Sequence, residues 1–231
     1  MPLMYDPTFL LLIPAFLLAL WAQGLVKSAY RKYSKMPTQG GIQASDAVQR
    51  MLRDAGNDAV SLARVPGQLT DHYDPKQEVL SLSEGVYHSS SVAAVAIAAH
   101  EAGHAMQKRE GNVLLEMRTA LVPAVNIGST LSMPVFIADL LMSFQPLVYA
   151  GIVLFSLAVF FSLLTLPMEL NASSRAIQML TTSGIITTRE EEKGARAMLR
   201  AAAMTYVAAA IGALLQLLRL VMIAGNSRSR D

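Results

Sequence analysis

The sequence predicts a mainly α-helical protein with about four transmembrane helices and a small α+β portion outside the bilayer. Hydrophobic residues make up 53% of the 231 residues and charged residues only 16%, and the mean hydropathy is +0.38, which is too apolar for an ordinary soluble domain. Several apolar runs approach the length of a bilayer crossing, about 20 residues. The α+β portion carries the pattern His-Glu-x-x-His on a helix of its own.

The composition also excludes several classes of partner and site. The formal net charge of +2 is too small to indicate nucleic acid binding, and no basic stretch is interleaved with aromatic residues. The chain has no cysteine, which excludes disulfides and thiolate ligands. Histidine and carboxylate side chains therefore remain as the possible metal ligands.

Residues 1–35 are predicted to form an N-terminal transmembrane anchor with a basic flank. The apolar run from Thr8 to Val26 is about as long as a crossing requires. Asp6 is the only charge before it, whereas the next four charges are basic: Lys27, Arg31, Lys32 and Lys35. This asymmetry places the N-terminus outside and the following segment in the cytoplasm, and it favours a permanent anchor over a cleavable signal peptide.

Residues 36–118 are predicted to form a cytoplasmic block of mixed structure. Apolar residues at helical spacing predict an amphipathic helix over residues 42–55. Residues 58–65 and 78–82 have the pattern of short strands, and the segment between them is rich in turn residues.

The last helix of this block carries the paired-histidine motif. We expect it to begin at Ser89 or Ser90, either of which can cap a helix, and to run through Val92 to Gln107. Its apolar part is too short to cross a membrane, so we expect a buried helix at the active site.

Residues 119–166 are predicted to form a transmembrane hairpin. The run at 147–166 is the clearest span, because it has no charge over a full bilayer thickness. The run at 119–142 is interrupted by prolines, Asn126 and Asp139, and a kinked or re-entrant segment would have the same composition. The short uncharged link between the two runs is expected on the non-cytoplasmic side.

Residues 167–202 are predicted to hold a metal-ligand segment and a polar helix around 189–200, and residues 203–231 a last transmembrane helix and tail. Four spans would place Arg228 and Arg230 outside, against the positive-inside rule. A three-span or inverted arrangement therefore also fits the sequence.

The motif at residues 100–104 has the spacing of a metal site. On a helix, His100 and His104 lie on one face and can bind a single ion. Glu101 projects to the flank of the pair, where its carboxylate can hydrogen-bond a metal-bound water and accept its proton. Zn²⁺ is the favoured ion, because two imidazoles and one carboxylate suit a tetrahedral site with one position open to water.

A third ligand is required, and the sequence offers several. Glu169 is favoured for a topological reason: the hairpin at 119–166 returns the chain to the side of the membrane that carries His100. The alternatives are His72, His88 or another carboxylate, and Glu169 could instead be an interfacial acid at the end of a span.

Two further groups are candidates for catalytic roles. Arg175 could stabilise the oxyanion or pair with Glu169, or it could be an ordinary surface charge. In the cluster at residues 71–74, His72 or Tyr73 could bind the oxyanion or line the substrate cleft. Turn formation before Pro75 explains this cluster equally well.

Four segments of the chain together resemble those of a known family; they read LTDHYDP (69–75), LSEGVYHSSS (82–91), AAHEAGHAMQ (98–107) and LPMELNASSRA (166–176). In type and order they are similar to the YugP-type neutral zinc metallopeptidases, which are bacterial multi-pass membrane proteins. The resemblance implies a zincin-like α+β portion, bound Zn²⁺ with His100, His104 and Glu169 as ligands, and Glu101 as the base. The chain is more distantly similar to the HtpX and CAAX prenyl protease superfamily, in which the third-ligand Glu also follows a transmembrane hairpin. Family members often carry Asp at the position of Asn171.

These observations lead to one functional hypothesis and two alternatives. The first is a zinc-dependent endopeptidase of the bacterial cytoplasmic membrane, with its active site on the cytoplasmic face and membrane-associated protein or peptide substrates. Its distant relatives suggest a role in membrane-protein quality control. The second is a zinc-binding membrane protein without turnover, its site closed by His72 or His88 as a fourth ligand. The third is a membrane scaffold or transporter-like bundle whose histidines pair with acids in the core.

Overall fold

The computed structural model describes residues 7–142 and 145–228, with side chains described for 8–127 and 149–225. Within these residues the chain forms seven α-helices and three strands. In order they are α1 (Leu12–Tyr33), α2 (Ala44–Asp54), β1 (Ser61–Val65), β2 (His72–Asp74), β3 (Val79–Ser83), α3 (Glu84–Tyr87), α4 (Val92–Arg109), α5 (Val113–Met142), α6 (Gln145–Thr182) and α7 (Arg189–Arg228). The mainly helical fold with a small sheet is confirmed.

The chain divides into two compact units. The first comprises Met1–Ala22, Met117–Leu166 and Thr205–Asp231, and the second comprises Gln23–Glu116 and Pro167–Met204. Four helices, α1, α5, α6 and α7, each contribute to both units. Within α6 the boundary falls at Pro167, which has no N–H to donate to the helical ladder.

The first unit contains the apolar helices. Three segments among the described residues are long and apolar enough to span a membrane: Thr8–Tyr33, Tyr149–Thr182 and Arg189–Gly225. Many large apolar side chains on them are exposed, as expected for surfaces that face lipid, including Phe16, Phe160 and Leu218. Hydroxyl groups inside α6 donate to the carbonyl four residues earlier, as Thr165 does to Phe161 at 2.7 Å, so they are satisfied without water.

The expected fourth span, at residues 119–142, is helical and belongs to α5. The side chains of its second half lie outside the described residues, so the count of about four spans stays a prediction. The polar helix at 189–200 and the span at 203–224 were expected as separate elements. They form one continuous helix, α7, because no proline or turn separates them.

The second unit contains a three-stranded sheet in the order β1-β3-β2, in which β1 is parallel to β3 and β2 is antiparallel to it. The sequence predicted β1 and β3 but assigned His72–Asp74 to a turn. That assignment is wrong: His72 pairs with Ser81 and Asp74 with Val79. The carboxylate of Asp71 accepts hydrogen bonds from the backbone N–H and hydroxyl of Ser83, which fixes the start of β2 against the end of β3.

Helix α4 lies in the core of the second unit and contacts α2, α3, β2 and β3. Its N-cap is Ser91, whose hydroxyl accepts from the backbone N–H of Ala94, and neither Ser89 nor Ser90 takes this role. Ser89 donates its hydroxyl to Ser91, and the Ser90 carbonyl accepts from Thr38 in the preceding loop. The three serines look equivalent in sequence, and tertiary contacts decide between them.

Helices α4 and α6 approach each other closely at Gly103. A Cβ atom added there would lie 2.7 Å from the carbonyl oxygen of Ala172, which is closer than Cβ atoms come to other heavy atoms in proteins. The glycine between the two motif histidines therefore permits the helix crossing that brings α6 to them.

Replacing Gly103 with alanine should force these two helices apart. We expect Gly103→Ala to lower stability by about 1–3 kcal/mol, the typical cost of overpacking, and to reduce the metal content of the purified protein. Gly151→Ala is the matched control, because an added Cβ at Gly151 in α6 meets nothing within 4 Å. Thermal unfolding in detergent measures the stability of both variants. An equal loss of stability in the two would show that the contact with Ala172 does not constrain the helix crossing.

Candidate metal centre

Three side chains from two helices meet at one point in the second unit. His100 and His104 lie four residues apart on α4 and share one face of the helix. Their Nε2 atoms lie 3.0 and 3.3 Å from the same oxygen, Oε2 of Glu169 on α6. Among the described residues, this is the one group of histidines and acids that could hold a metal ion, with its ligand atoms within 4.8 Å of one another.

The three side chains are largely removed from water. The side-chain exposure is 12% for His100, 7% for His104 and 1% for Glu169. Burial lowers the pKa of His104, but its hydrogen bond to Glu169 and the charges of Glu101 and Glu169 outweigh burial and raise the pKa above its ordinary value. A proton therefore competes with a metal ion for this imidazole more strongly than in a free histidine.

The chemistry of the donor set fits zinc. Two imidazole nitrogens and one carboxylate oxygen are a ligand set of catalytic zinc sites, and borderline-soft Zn²⁺ binds both atom types. Both histidines present Nε2 to Glu169, so the three donors face a common centre. The arrangement needs no ligand from outside the second unit.

The other nitrogen of each imidazole is held by a polar side chain that the sequence analysis did not identify. Nδ1 of His100 lies 3.2 Å from Oγ of Ser173, and Nδ1 of His104 lies 2.9 Å from Oε1 of Gln107. Such contacts orient ligand histidines and keep Nε2 available for a metal. A sequence signal was present, since Gln107 is a polar residue on an apolar helix face three positions after His104, and Ser173 lies four positions after Glu169.

Glu101 is partly exposed and lies beside the two histidines on α4. Its charge contributes to the raised pKa of His104 and also to that of Asp71. Burial is the main cause of the raised pKa of Asp71, and hydrogen bonds from Ser83 oppose it. Glu101 is thus the acid of the motif that remains close to the metal position without being part of the ligand group.

The two remaining histidines lie outside the ligand group. His72 donates from Nδ1 to the Thr70 carbonyl at 2.9 Å on the exposed start of β2. Nδ1 of His88 lies 3.0 Å from Oε1 of Gln43. The geometry therefore favours Glu169 over either histidine as the third ligand, and a catalytic role for His72 stays a prediction.

Arg175 donates hydrogen bonds to two residues, Asn171 and Glu110. Its Nε donates to Oδ1 of Asn171 at 2.8 Å, and its two terminal nitrogens each donate to one oxygen of Glu110 at 2.6 Å. The hydrogen bond and charge of Arg175 lower the pKa of Glu110. The sequence offered Glu169 as the partner of Arg175, whereas the structure pairs Arg175 with Glu110. A role for Arg175 in stabilising an oxyanion stays a prediction.

Comparison with known proteins agrees with this geometry. The family model described as "Putative neutral zinc metallopeptidase" matches residues 8–225, nearly the whole chain. The chain belongs to this family. It is also similar to the "Putative membrane protease YugP" of Bacillus subtilis (strain 168), with 44% identity over 221 residues that cover 96% of this chain and 98% of that protein. No solved structure matches the chain significantly.

Membership of the zinc peptidase family gives the paired histidines and Glu169 a common explanation. The resemblance seen in the four sequence motifs is confirmed over nearly the whole chain. The three convergent side chains are the residues that would hold zinc, and the family description names the same ion.

We expect about one zinc ion per chain in the purified protein and less than a tenth of that in His104→Ala and Glu169→Ala. Each variant removes one of three ligands, and two ligands bind zinc poorly. His88→Ala is the matched control, because it removes an exposed histidine outside the group. Elemental analysis of the detergent-purified proteins measures the zinc content per chain. If Glu169→Ala retained its zinc, the third ligand would be another residue.

Proposed function

We propose that this protein is a membrane-embedded zinc endopeptidase that hydrolyses peptide bonds at the cytoplasmic face of the bacterial membrane. The observation that carries the proposal is the convergence of His100, His104 and Glu169 on one point with Glu101 beside them. The family description and the name of the relative YugP agree with a membrane protease.

The side chains divide the chemistry between them. His100, His104 and Glu169 would hold zinc, which when bound acts as a Lewis acid and lowers the pKa of a water molecule. Glu101 accepts the proton of the attacking water and then donates it to the leaving nitrogen of the cleaved peptide bond. Its position next to His100, and outside the ligand group, leaves its carboxylate available for this transfer.

The small sheet suggests how the substrate would be held. Strand β2 lies at an edge of the sheet, and α4 contacts both β2 and β3. An extended peptide could add to this edge through backbone hydrogen bonds and so pass alongside the helix that carries Glu101. The substrate would then be an unfolded segment or a flexible tail of a protein.

The sequence of α6 favours substrates close to the bilayer. Glu169 follows the apolar run 147–166 by three residues on the same helix, which is a rise of about 5 Å. We propose membrane-associated proteins or peptides as substrates, and membrane-protein quality control as the biological role. Besides these substrates, we propose the lipid bilayer as a binding partner of the protein.

The proposed topology places residues 36–118 and 167–202 in the cytoplasm, between an anchor at 1–35, a hairpin at 119–166 and a last span at 203–231. The basic residues after the first apolar run support the cytoplasmic side for the segment that follows. The hairpin is needed because His100 and Glu169 must lie on the same side of the membrane to meet at 3.0 Å.

A non-catalytic zinc protein is the alternative. A structural zinc site closes its tetrahedron with a fourth protein ligand. In the part of the chain with described side chains, the ligand group has three members, and His72 and His88 have other partners. This composition favours catalysis over a purely structural site.

Glu101→Gln should abolish peptidase activity while zinc stays bound. The amide cannot accept a proton, and loss of a general base lowers rates by about 10²- to 10⁴-fold. Cleavage of an unfolded reporter protein in detergent or proteoliposomes measures the rate, and elemental analysis checks the zinc. Glu190→Gln, an exposed acid in the first turn of α7, is the matched control. Unchanged activity in Glu101→Gln would remove Glu101 from the mechanism.

Single-cysteine labelling can test the topology cleanly, because the chain has no cysteine of its own. We expect a cysteine introduced by Lys76→Cys, in the turn before β3, to react with a membrane-impermeant maleimide only after the cells are permeabilised. Ser143→Cys, in the link of the hairpin, should react in intact cells. Labelling of both positions on the same side would contradict the hairpin.

A further inference from the structure

Gln107 is a fully buried side chain that connects the two helices of the metal centre. It has no exposed surface, yet its amide makes three hydrogen bonds. Its Oε1 lies 2.9 Å from Nδ1 of His104, and its Nε2 lies 2.9 Å from both the carbonyl oxygen of Met168 and Oδ1 of Asn171. Met168 directly precedes the ligand Glu169.

These partners allow one orientation of the Gln107 amide. A backbone carbonyl only accepts, so the NH₂ group of Gln107 must face Met168 and the carbonyl Oε1 must face His104. Oε1 also only accepts, so Nδ1 of His104 carries the hydrogen. In the neutral imidazole the lone pair is then on Nε2, which is the nitrogen that faces Glu169.

A rotated Asn171 amide would turn its NH₂ group toward the NH₂ group of Gln107 and so oppose the orientation that the Met168 carbonyl sets, and Arg175 prevents this rotation. The Nε of Arg175 only donates, and it lies 2.8 Å from Oδ1 of Asn171, so this oxygen must face both Arg175 and Gln107. Arg175 is itself held by two hydrogen bonds to Glu110. Arg175 fixes the Asn171 amide, and Asn171 and the Met168 carbonyl then both favour the same orientation of Gln107 toward His104.

We infer that Arg175, Asn171 and Gln107 are positioning residues that keep His104 in the tautomer that binds metal. Arg175 acts at a distance, through two amides, and does not touch the metal position. The inference rests on the zinc site of the proposed function but not on peptidase activity. It assigns Arg175 a role different from stabilising an oxyanion.

The test is a double-mutant cycle on zinc affinity, measured without substrate by competition with a chelator at one pH near 8. Gln107→Leu should weaken zinc binding by about 10- to 100-fold, the usual effect of removing a partner of a ligand histidine. Arg175→Gln should weaken it by several fold, because the amide of Asn171 can then rotate. Asn171→Asp should retain the affinity, because both oxygens of a carboxylate accept.

The discriminating prediction concerns the combination of the last two changes. In the Asn171→Asp background, Arg175→Gln should change zinc affinity by less than about twofold, because a carboxylate has no wrong orientation for Arg175 to prevent. Arg196→Gln is the matched control, since Arg196 also pairs with a glutamate on an exposed helix surface. It should leave zinc affinity unchanged in either background.

Three outcomes would overturn the inference. Equal loss from Arg175→Gln in both backgrounds would show a general electrostatic or structural effect. If Arg175→Gln lost peptidase activity while its zinc affinity stayed unchanged, Arg175 would act on the substrate and not on His104. Full zinc affinity in Gln107→Leu would show that the amide does not set the state of His104.

Failure to fold and failure of the proposed function remain distinguishable from these outcomes. Thermal unfolding of the chelator-treated proteins identifies variants that are merely unstable. If Gln107→Leu does not fold, the cycle at Asn171 and Arg175, where the Arg175 side chain is 26% exposed, decides the question. A protein that shows the expected affinities but cleaves no peptide would contradict the peptidase assignment and leave the positioning role intact.

Discussion

The metal centre depends on the close approach of α4 and α6 where Gly103 meets Ala172. A Cβ atom at Gly103 would lie 2.7 Å from the backbone oxygen of Ala172. The two helices can therefore pack this closely only because glycine has a hydrogen atom in place of a side chain. The same contact brings Glu169 to within 3.0 Å of His100, one turn along α6. A wider separation of the two helices would move Glu169 away from His100 and His104, so a residue without a side chain of its own supports the geometry of the site.

The buried acid Glu169, the buried imidazole of His104 and the partly buried imidazole of His100 form a group whose charge must be balanced. Glu169 is 1% exposed, and removing an unpaired carboxylate from water costs several kcal/mol. The histidines offset part of this cost, and a divalent cation held by the three side chains would offset more of it, which would couple metal binding to folding of the α4–α6 pair. The polar side chains around the group, Ser173 and Gln107, add hydrogen bonds that hold each ring with Nε2 toward the carboxylate.

The helix α6 joins the membrane and the chemistry in one element. Its first part is an apolar helix with internally satisfied hydroxyl groups, and its second part carries Glu169, Asn171, Ser173 and Arg175 within about two turns. In the proposed peptidase, the third ligand would lie about one turn beyond an apolar helix, which is the basis for proposing substrates close to the bilayer.

The sequence by itself determined the apolar helices and the His-Glu-x-x-His helix with its paired His100 and His104, because helical spacing and hydrophobic length are local properties of the chain. It favoured Glu169 as the third ligand but left His72, His88 and other acids open, and only the tertiary structure brings Glu169 to the two histidines. It also determined the family, through four motifs in a fixed order. Only the tertiary structure assigned His72–Asp74 to a strand, since pairing with β3 is a long-range contact that overrides a turn-rich composition. It alone selected Ser91 as the cap of α4 and paired Arg175 with Glu110. The chain of amides from Arg175 to His104 could not be predicted for the same reason: its members are 61 to 64 residues apart in sequence where Gln107 meets Met168 and Asn171, and only the helix crossing places them within hydrogen-bond distance.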